Sequence, residues 1–76
     1  MAAKAFVLIE TAVGRSREVT NALKGLSGVV SVDAVTGPYD IITVIQRETL
    51  NDIGDLVTGK IHPIAGISRT VTCLAI

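Results

Sequence analysis

Four segments of the chain have the hydrophobic patterning of β-strands. Lys4–Thr11 and Tyr39–Arg47 carry apolar residues on both alternating faces, which is typical of central strands covered on both sides. Val29–Thr36 and Ile67–Ile76 alternate apolar with polar residues, which is typical of strands at the edge of a sheet. In the second strand, this alternation is expected to place Val30, Val32 and Ala34 on one face.

Two further segments have the periodicity of amphipathic helices. The first runs from Gly14 to Lys24, and Gly28 is expected to end it. The second begins at Thr49, whose hydroxyl is expected to cap the helix, and Pro63 ends it. The expected apolar stripes are Val19, Ala22, Leu23 and Leu26 in the first helix, and Leu50, Ile53, Leu56 and Val57 in the second.

The junction between helix and strand occurs twice in similar form. Leu26-Ser27-Gly28-Val29 and Ile64-Ala65-Gly66-Ile67 each join the end of a helix to a strand, so the chain divides into two βαβ halves. Halves of this kind, joined by a turn at Gly37-Pro38, predict a ferredoxin-like βαββαβ fold of the α+β class. Its four-stranded antiparallel sheet has the order 4-1-3-2, with two helices on one face. We expect one domain over residues 1–76.

Composition predicts self-association. Of the 76 residues, 49% are hydrophobic and only 18% are charged, which is more apolar surface than a lone domain of this size can hide. Because both helices are expected on one face of the sheet, the other apolar face needs a second sheet. The simplest source is an identical chain, so we predict a homodimer through the sheet faces.

The charge balance and the cysteine content indicate which classes of partner and which cellular compartment to expect. Seven basic residues balance seven acidic ones, and no basic run is present, so direct binding to nucleic acid is not expected. The single cysteine, Cys73, and the absence of a signal-peptide pattern favour a reducing cytoplasm. No apolar stretch has the ~18–20 residues that cross a membrane.

The sequence offers little for catalysis. There is one histidine and one cysteine, and no pair of carboxylates has a spacing that suggests acid–base chemistry. His62 is interpreted as a cap at the end of the second helix, and Cys73 as a small packing residue. We therefore expect no catalytic residues, no metal ligands, no cofactor and no enzymatic activity.

The segment around the central turn is the best candidate for a binding site. Asp40 brings a carboxylate to the mouth of an apolar strand, just after Gly37 exposes backbone amides and beside the ring of Tyr39. An ammonium group could pair with Asp40, while a carboxylate could bind the amides near Gly37 or the hydroxyls of Thr70 and Thr72. Alternatively, Gly37 only turns the hairpin, Asp40 accepts amides of the turn, and Tyr39 packs at the dimer edge.

Several motifs together resemble the effector-binding domain of the Lrp/AsnC family of feast/famine regulators, and the resemblance covers essentially the whole chain. The combination of Gly-x-Tyr-Asp with a late Thr-x-Thr is its most specific part. The motifs are Phe6-Val7-Leu8-Ile9, Gly14, Glu18-Val19, Leu26-Ser27-Gly28-Val29, Val35-Thr36-Gly37-Pro38-Tyr39-Asp40, Ile64-Ala65-Gly66-Ile67 and Thr70-Val71-Thr72.

The resemblance implies an amino-acid effector that binds between dimers, which assemble into rings commonly of eight or ten chains. Gly37, Tyr39 and Asp40 would form the loop side of the effector site, and Thr70 and Thr72 would contribute hydroxyls. Only three residues precede the predicted first strand, so the helix-turn-helix domain usual in the family is expected to be missing. The resemblance then implies a stand-alone module that acts without direct DNA contact, either through mixed oligomers with full-length regulators or as an amino-acid sensor for another partner.

Three hypotheses of function follow. The preferred one is an amino-acid-binding and oligomerisation module that modulates transcription or metabolism through effector-coupled assembly. The second is a small dimeric enzyme of the oxygenase type, which requires a large apolar cavity between sheet and helices. The third is a purely structural subunit whose assembly needs no effector.

Overall fold

A computed structural model describes residues 2–76, and these residues form an α+β fold. The second helix continues into a π-helical turn before the last strand. In chain order the elements are β1 (Ala3–Thr11), α1 (Ser16–Lys24), β2 (Val29–Ala34), β3 (Ile41–Arg47), α2 (Leu50–Leu56), the π-turn (Val57–Ile61) and β4 (Ile67–Leu74). None of the helices in residues 2–76 has both the length and the apolar character that crossing a membrane requires.

The sheet confirms the predicted topology. Its order is β2-β3-β1-β4, with every neighbouring pair antiparallel, so the two strands without polar alternation are indeed central. Ile9 of β1 pairs with Ile41 of β3 on one side and with Thr70 of β4 on the other. These pairings define the positions of the candidate site residues.

The hydrophobic core lies between the helices and one face of the sheet. On that face β1 buries alternate residues, among them Val7 and Ile9, and Thr43 of β3 is buried with its hydroxyl donating to the carbonyl of Ser31 at 2.7 Å. The helices close the core with Val19, Leu23, Ile53, Leu56, Val57 and Ile61. Two residues assigned to the helical stripes, Ala22 and Leu50, are instead exposed.

The two junctions that the sequence repeats have the same backbone structure. Gly28 and Gly66 have φ of 94° and 100°, a region that glycine tolerates far better than other residues. Each carbonyl accepts a hydrogen bond from the adjacent strand, Gly28 from Gln46 and Gly66 from Ala12, both at 2.8 Å. The prediction that Gly28 ends α1 is wrong. The helix ends at Lys24, and Gly25 is its C-cap.

The strand ends and one side-chain face differ from the sequence-based prediction. The amide of Val35 donates to the carbonyl of Asp40 at 2.9 Å and closes a loop, so β2 ends at Ala34 and β3 begins at Ile41. A register shift between Val29 and Ser31 displaces Val30, which is 58% exposed, and Val29 packs on the core with Val32 in its place.

The ends of α2 agree in part with the prediction. The hydroxyl of Thr49 accepts the amide of Asp52 at 3.1 Å, which confirms Thr49 as the N-cap. The helix then widens into the π-turn, where the amide of His62 donates to the carbonyl of Val57 at 2.8 Å, and Pro63 follows. The π-turn is not visible in the periodicity, because it changes the hydrogen-bond spacing without changing which residues are apolar.

Candidate functional site

The β2–β3 loop is tied to the end of β1 by the side chain of Asp40. One carboxylate oxygen, Oδ2, accepts the amide of Thr11 at 2.8 Å and the hydroxyl of Thr11 at 3.3 Å, while the amide of Asp40 donates to the carbonyl of Ile9 at 2.9 Å. The carboxylate therefore accepts from a neighbouring strand, and not from the amides of its own turn. Asp40 is half-buried and its hydrogen bonds leave Oδ1 available to a ligand.

Gly37 and Tyr39 precede Asp40 in the same loop. Gly37 is exposed, has a φ of 119°, and no atom lies within 4 Å of where a Cβ would stand. The backbone at Gly37 is therefore open to an approaching molecule. Tyr39 is half-buried beside it. We name Gly37, Tyr39 and Asp40 the loop patch.

Thr70 lies within β4, where its hydroxyl contacts His62, a residue for which the sequence predicted only a capping role. The Oγ1 atom of Thr70 is 3.0 Å from Nε2 of His62. His62 does stand at the C-cap of the π-turn, as predicted, but its ring reaches β4. The path of the π-turn brings His62 to β4, so the local sequence pattern carries no signal for this contact.

A shallow groove of about 290 Å³ surrounds this contact and carries further polar groups. Arg69 also lines the groove, but its guanidinium lies on the opposite face of the sheet, 3.9 Å from the carboxylate of Glu10. Ser68 donates its hydroxyl to the carbonyl of Glu10 at 3.1 Å. We name His62, Ser68 and Thr70 the β4 patch; it presents polar groups suited to an anionic ligand.

Thr72 lies apart from both patches. It pairs with Val7 and lines a second groove, of about 330 Å³, between α2 and the edge of β4. The other residues of this groove are Leu50, Ile53, Gly54, Val57, Thr58 and Leu74, so it is largely apolar.

The five predicted site residues thus do not form one pocket within the protomer. Ile41 and Thr70 both pair with Ile9, so β3, which follows the loop patch, and β4 lie two strand spacings, about 10 Å, apart. The loop patch contacts the end of β1 through Asp40, whereas the β4 patch contacts the end of the π-turn through Thr70. Within residues 2–76, no three His, Cys, Asp or Glu side chains come together as metal ligands.

Known proteins with this architecture include regulators. The chain is 30% identical over 59 residues to PH1916 of Pyrococcus horikoshii, an uncharacterized HTH-type transcriptional regulator, covering 78% of this chain and 39% of that one. The crystal structure of FFRP-DM1 superposes with a TM-score of 0.93 and 36% identity, covering 97% of this chain and 99% of that chain. The regulator NMB0573 of Neisseria meningitidis, solved as a complex with L-Met, has the same fold, with a TM-score of 0.85, 14% identity, and coverage of 97% and 49%.

These likenesses define the class of the protein as a regulatory ligand-binding domain. The model of the Lrp/AsnC ligand binding domain matches residues 4–76, and the chain belongs to this family. The predicted resemblance and the ferredoxin-like fold are therefore confirmed. The chain spans about 39% of the length of the curated relatives it matches.

Proposed function

We propose that this domain binds a free amino acid between protomers and that occupancy of the site controls assembly. The separation of the candidate residues into a loop patch and a β4 patch supports this proposal. The loop patch offers a carboxylate to an ammonium group, whereas the β4 patch offers His62 and the hydroxyls of Ser68 and Thr70 to a carboxylate. In an amino acid both groups sit on one carbon atom, whereas the strands that carry these patches lie about 10 Å apart, so the two patches of one chain are poorly placed to bind one ligand together.

In the proposed site, the ligand contacts two patches that come from different chains. The loop patch of one protomer would then face the β4 patch of another, with Tyr39 and apolar neighbours against the ligand side chain. Because the complete site exists only in the assembly, ligand stabilises the assembled state by mass action. The L-Met complex of NMB0573 supports an amino acid as the effector class.

The assembly we propose begins with a dimer. The face of the sheet away from the helices carries Phe6, 39% exposed, together with Leu8, Ile42, Val44 and Val71. A second copy would cover this face, and dimers would join through the divided site into rings of eight or ten chains or with full-length regulators. The balance of seven basic and seven acidic residues favours control through such contacts and not through direct contact with DNA.

The structure favours this function over the oxygenase-type alternative. That alternative requires a cavity between sheet and helices, and this space is filled by fully buried side chains such as Ile9, Leu23 and Ile41. His62, the candidate for catalysis, is exposed at the end of the π-turn. Whether any amino acid binds distinguishes a sensor from a purely structural subunit, and calorimetry measures this.

Calorimetric titration of the twenty amino acids, combined with light scattering on the same samples, tests the proposal. We expect at least one amino acid to bind and to increase the mass of the assembly. Asp40→Asn should abolish that heat, because it removes the charge that pairs with the ammonium group while keeping the side-chain size.

Two variants control for indirect effects. Thr11→Val removes the hydroxyl contact to Asp40 but keeps its charge and the backbone bond, so it should still bind. Asp55→Asn removes an exposed carboxylate on α2 and should also bind normally. Absence of binding by all twenty amino acids, with a stable oligomer, would identify the structural subunit instead.

A further inference from the structure

A groove between the end of α1 and the α2 helix carries two positive charges and no acidic side chain. Its volume is about 270 Å³. Arg47 and Lys60 supply the charges, and Leu26 and Leu56 give the groove an apolar wall. The complete lining is Gly25, Leu26, Ser27, Arg47, Leu56 and Lys60. We name Ser27, Arg47 and Lys60 the basic groove.

The basic groove is not part of the amino-acid site proposed above. The loop patch ends at Asp40, just before β3, whereas Arg47 is the last residue of that strand. The seven residues from Ile41 to Arg47 span about 20 Å. Lys60 is close to His62 in sequence, but Lys60 lines the groove beside the end of α1, and the ring of His62 contacts β4.

The guanidinium of Arg47 is held in place by the backbone that follows α1. Its Nη2 atom donates to the carbonyl of Ser27 at 2.9 Å. Gly28 permits this close approach, because a Cβ there would lie 2.6 Å from Nε of Arg47. The Nε atom is buried and has no hydrogen-bond partner within residues 2–76. The protein therefore compensates the charge of Arg47 only in part, and the bond to Ser27 leaves Nη1 to a ligand.

The electrostatics of the groove favour an anion. In the part of the chain from residue 2 to residue 76, neither Arg47 nor Lys60 forms an ion pair with a carboxylate. Glu48 follows Arg47 in sequence but lines a different groove. The carbonyls at the end of α1 contribute about half a negative charge. Two full positive charges outweigh this, and Lys24 in the last turn of α1 adds a third.

The donors of the groove suit a phosphate group better than a carboxylate. A guanidinium binds phosphate oxygens through its planar fork, and an ammonium group binds them as a point charge. Two positive charges match the charge of a phosphate monoester, about −1.5 to −2 at pH 7, whereas a carboxylate brings one negative charge. The groove is also larger than a phosphate alone requires, so Leu26 and Leu56 can contact an apolar group attached to it.

We propose that the basic groove binds a phosphate dianion, either inorganic phosphate or the phosphate of a small monoester. Arg47 and Lys60 neutralise its charge, and the exposed Ser27 donates its hydroxyl. The bound phosphate connects the end of α1 to α2, so it stabilises the folded protomer by mass action. All three side chains come from one chain, so this binding depends neither on assembly nor on an amino acid.

Calorimetric titration with three probes at about pH 7.5, where phosphate is mostly a dianion, tests this proposal. The probes are inorganic phosphate, phenyl phosphate and acetate. We expect both phosphates to bind with one site per protomer, and acetate to bind roughly tenfold more weakly or not at all. Tighter binding of phenyl phosphate than of phosphate would identify a monoester as the ligand, and equal binding would identify inorganic phosphate.

Variants assign the measured heat to the groove. Lys60→Gln removes an exposed charge and should raise the Kd for phosphate roughly fivefold or more. Arg47→Lys keeps the charge but loses the planar fork, and it should also weaken binding. Arg17→Gln is the matched control, because it makes the same change of net charge at the exposed start of α1 and should leave the Kd unchanged.

Three results overturn the proposal. The first is no heat with either phosphate at millimolar concentration. The second is acetate binding as tightly as phosphate does. The third is an equal effect of Lys60→Gln and Arg17→Gln, which would show that phosphate responds to net charge and not to this groove. Circular dichroism of Lys60→Gln verifies that the fold is retained, as expected for an exposed side chain.

Discussion

At the scale of single residues, the glycines at the two junctions explain why the sequence repeats. Gly28 and Gly66 have the positive φ and the inter-strand hydrogen bond that turn a helix end into a strand. A Cβ at Gly28 would lie 2.6 Å from Nε of Arg47, and one at Gly66 would lie 3.0 Å from Cβ of Arg15. The repeated sequence is therefore explained by the positive φ and the close packing at these two glycines, and not by ligand binding.

Gly28→Ala should consequently destabilise the fold. The left-handed backbone costs about 1–2 kcal/mol for a residue with a Cβ, and displacement of the Arg47 side chain adds to this. Nη2 of Arg47 donates to the carbonyl of Ser27 at 2.9 Å, a bond that the displacement would break. Urea unfolding at a fixed protomer concentration measures the change in free energy.

Gly37→Ala is the matched control for that experiment. Its φ of 119° imposes backbone strain, but nothing lies within 4 Å of the added Cβ. It should destabilise the fold less than Gly28→Ala does. Equal losses of unfolding free energy in the two variants would show that the contact with Arg47 contributes nothing to the destabilisation.

At the scale of the elements, periodicity was sufficient for the order of strands and helices but not for their details. The bulge at Val30 depends on hydrogen bonds with β3, and the contact between His62 and Thr70 depends on the path of the π-turn. Both join residues that are distant in sequence or irregular in backbone, which local patterning does not encode. For the same reason the sequence could suggest site residues but not their separation into two patches.

Within α2, Gly54→Ala should stabilise the protein by about 0.5–1 kcal/mol, because alanine has the higher helix propensity. Gly54 is exposed, and no atom lies within 4 Å of its potential Cβ. The melting temperature and urea midpoint should both rise. Ala22→Gly, at an exposed position of α1, provides the mirror-image control and should lower stability by a similar amount.

A loss of stability in Gly54→Ala would have a specific meaning. Gly54 lines the apolar groove between α2 and β4, together with Thr72. If the added methyl group destabilises the assembled protein but not a monomeric variant, another protomer occupies this groove. The comparison thus separates an intrinsic helix effect from one of assembly.

At the scale of the whole molecule, the chain presents two apolar surfaces on opposite sides of the sheet. One is the open sheet face centred on Leu8, and the other is the α2–β4 groove, where Leu50 is 59% exposed and Leu74 is 49% exposed. Composition and the expected placement of both helices predicted an uncovered apolar surface on the other face of the sheet, but not the groove between α2 and β4. The register of β1 identifies the residues of the open face, since it places Leu8 between Ile42 and Val71.

Leu8→Glu should therefore convert the dimer into a monomer, whereas Leu50→Glu should not. In the dimer the first change buries two unpaired carboxylates among apolar side chains, once from each chain, which is strongly unfavourable. In the monomer the same carboxylate faces water, so the protomer keeps its fold. Sedimentation velocity gives the mass, and circular dichroism reports the fold. If Leu50→Glu dissociates the dimer and Leu8→Glu does not, the α2–β4 groove is the primary interface. In the proposed effector site the patches come from different chains, so the variant that dissociates the protein should also lose amino-acid binding.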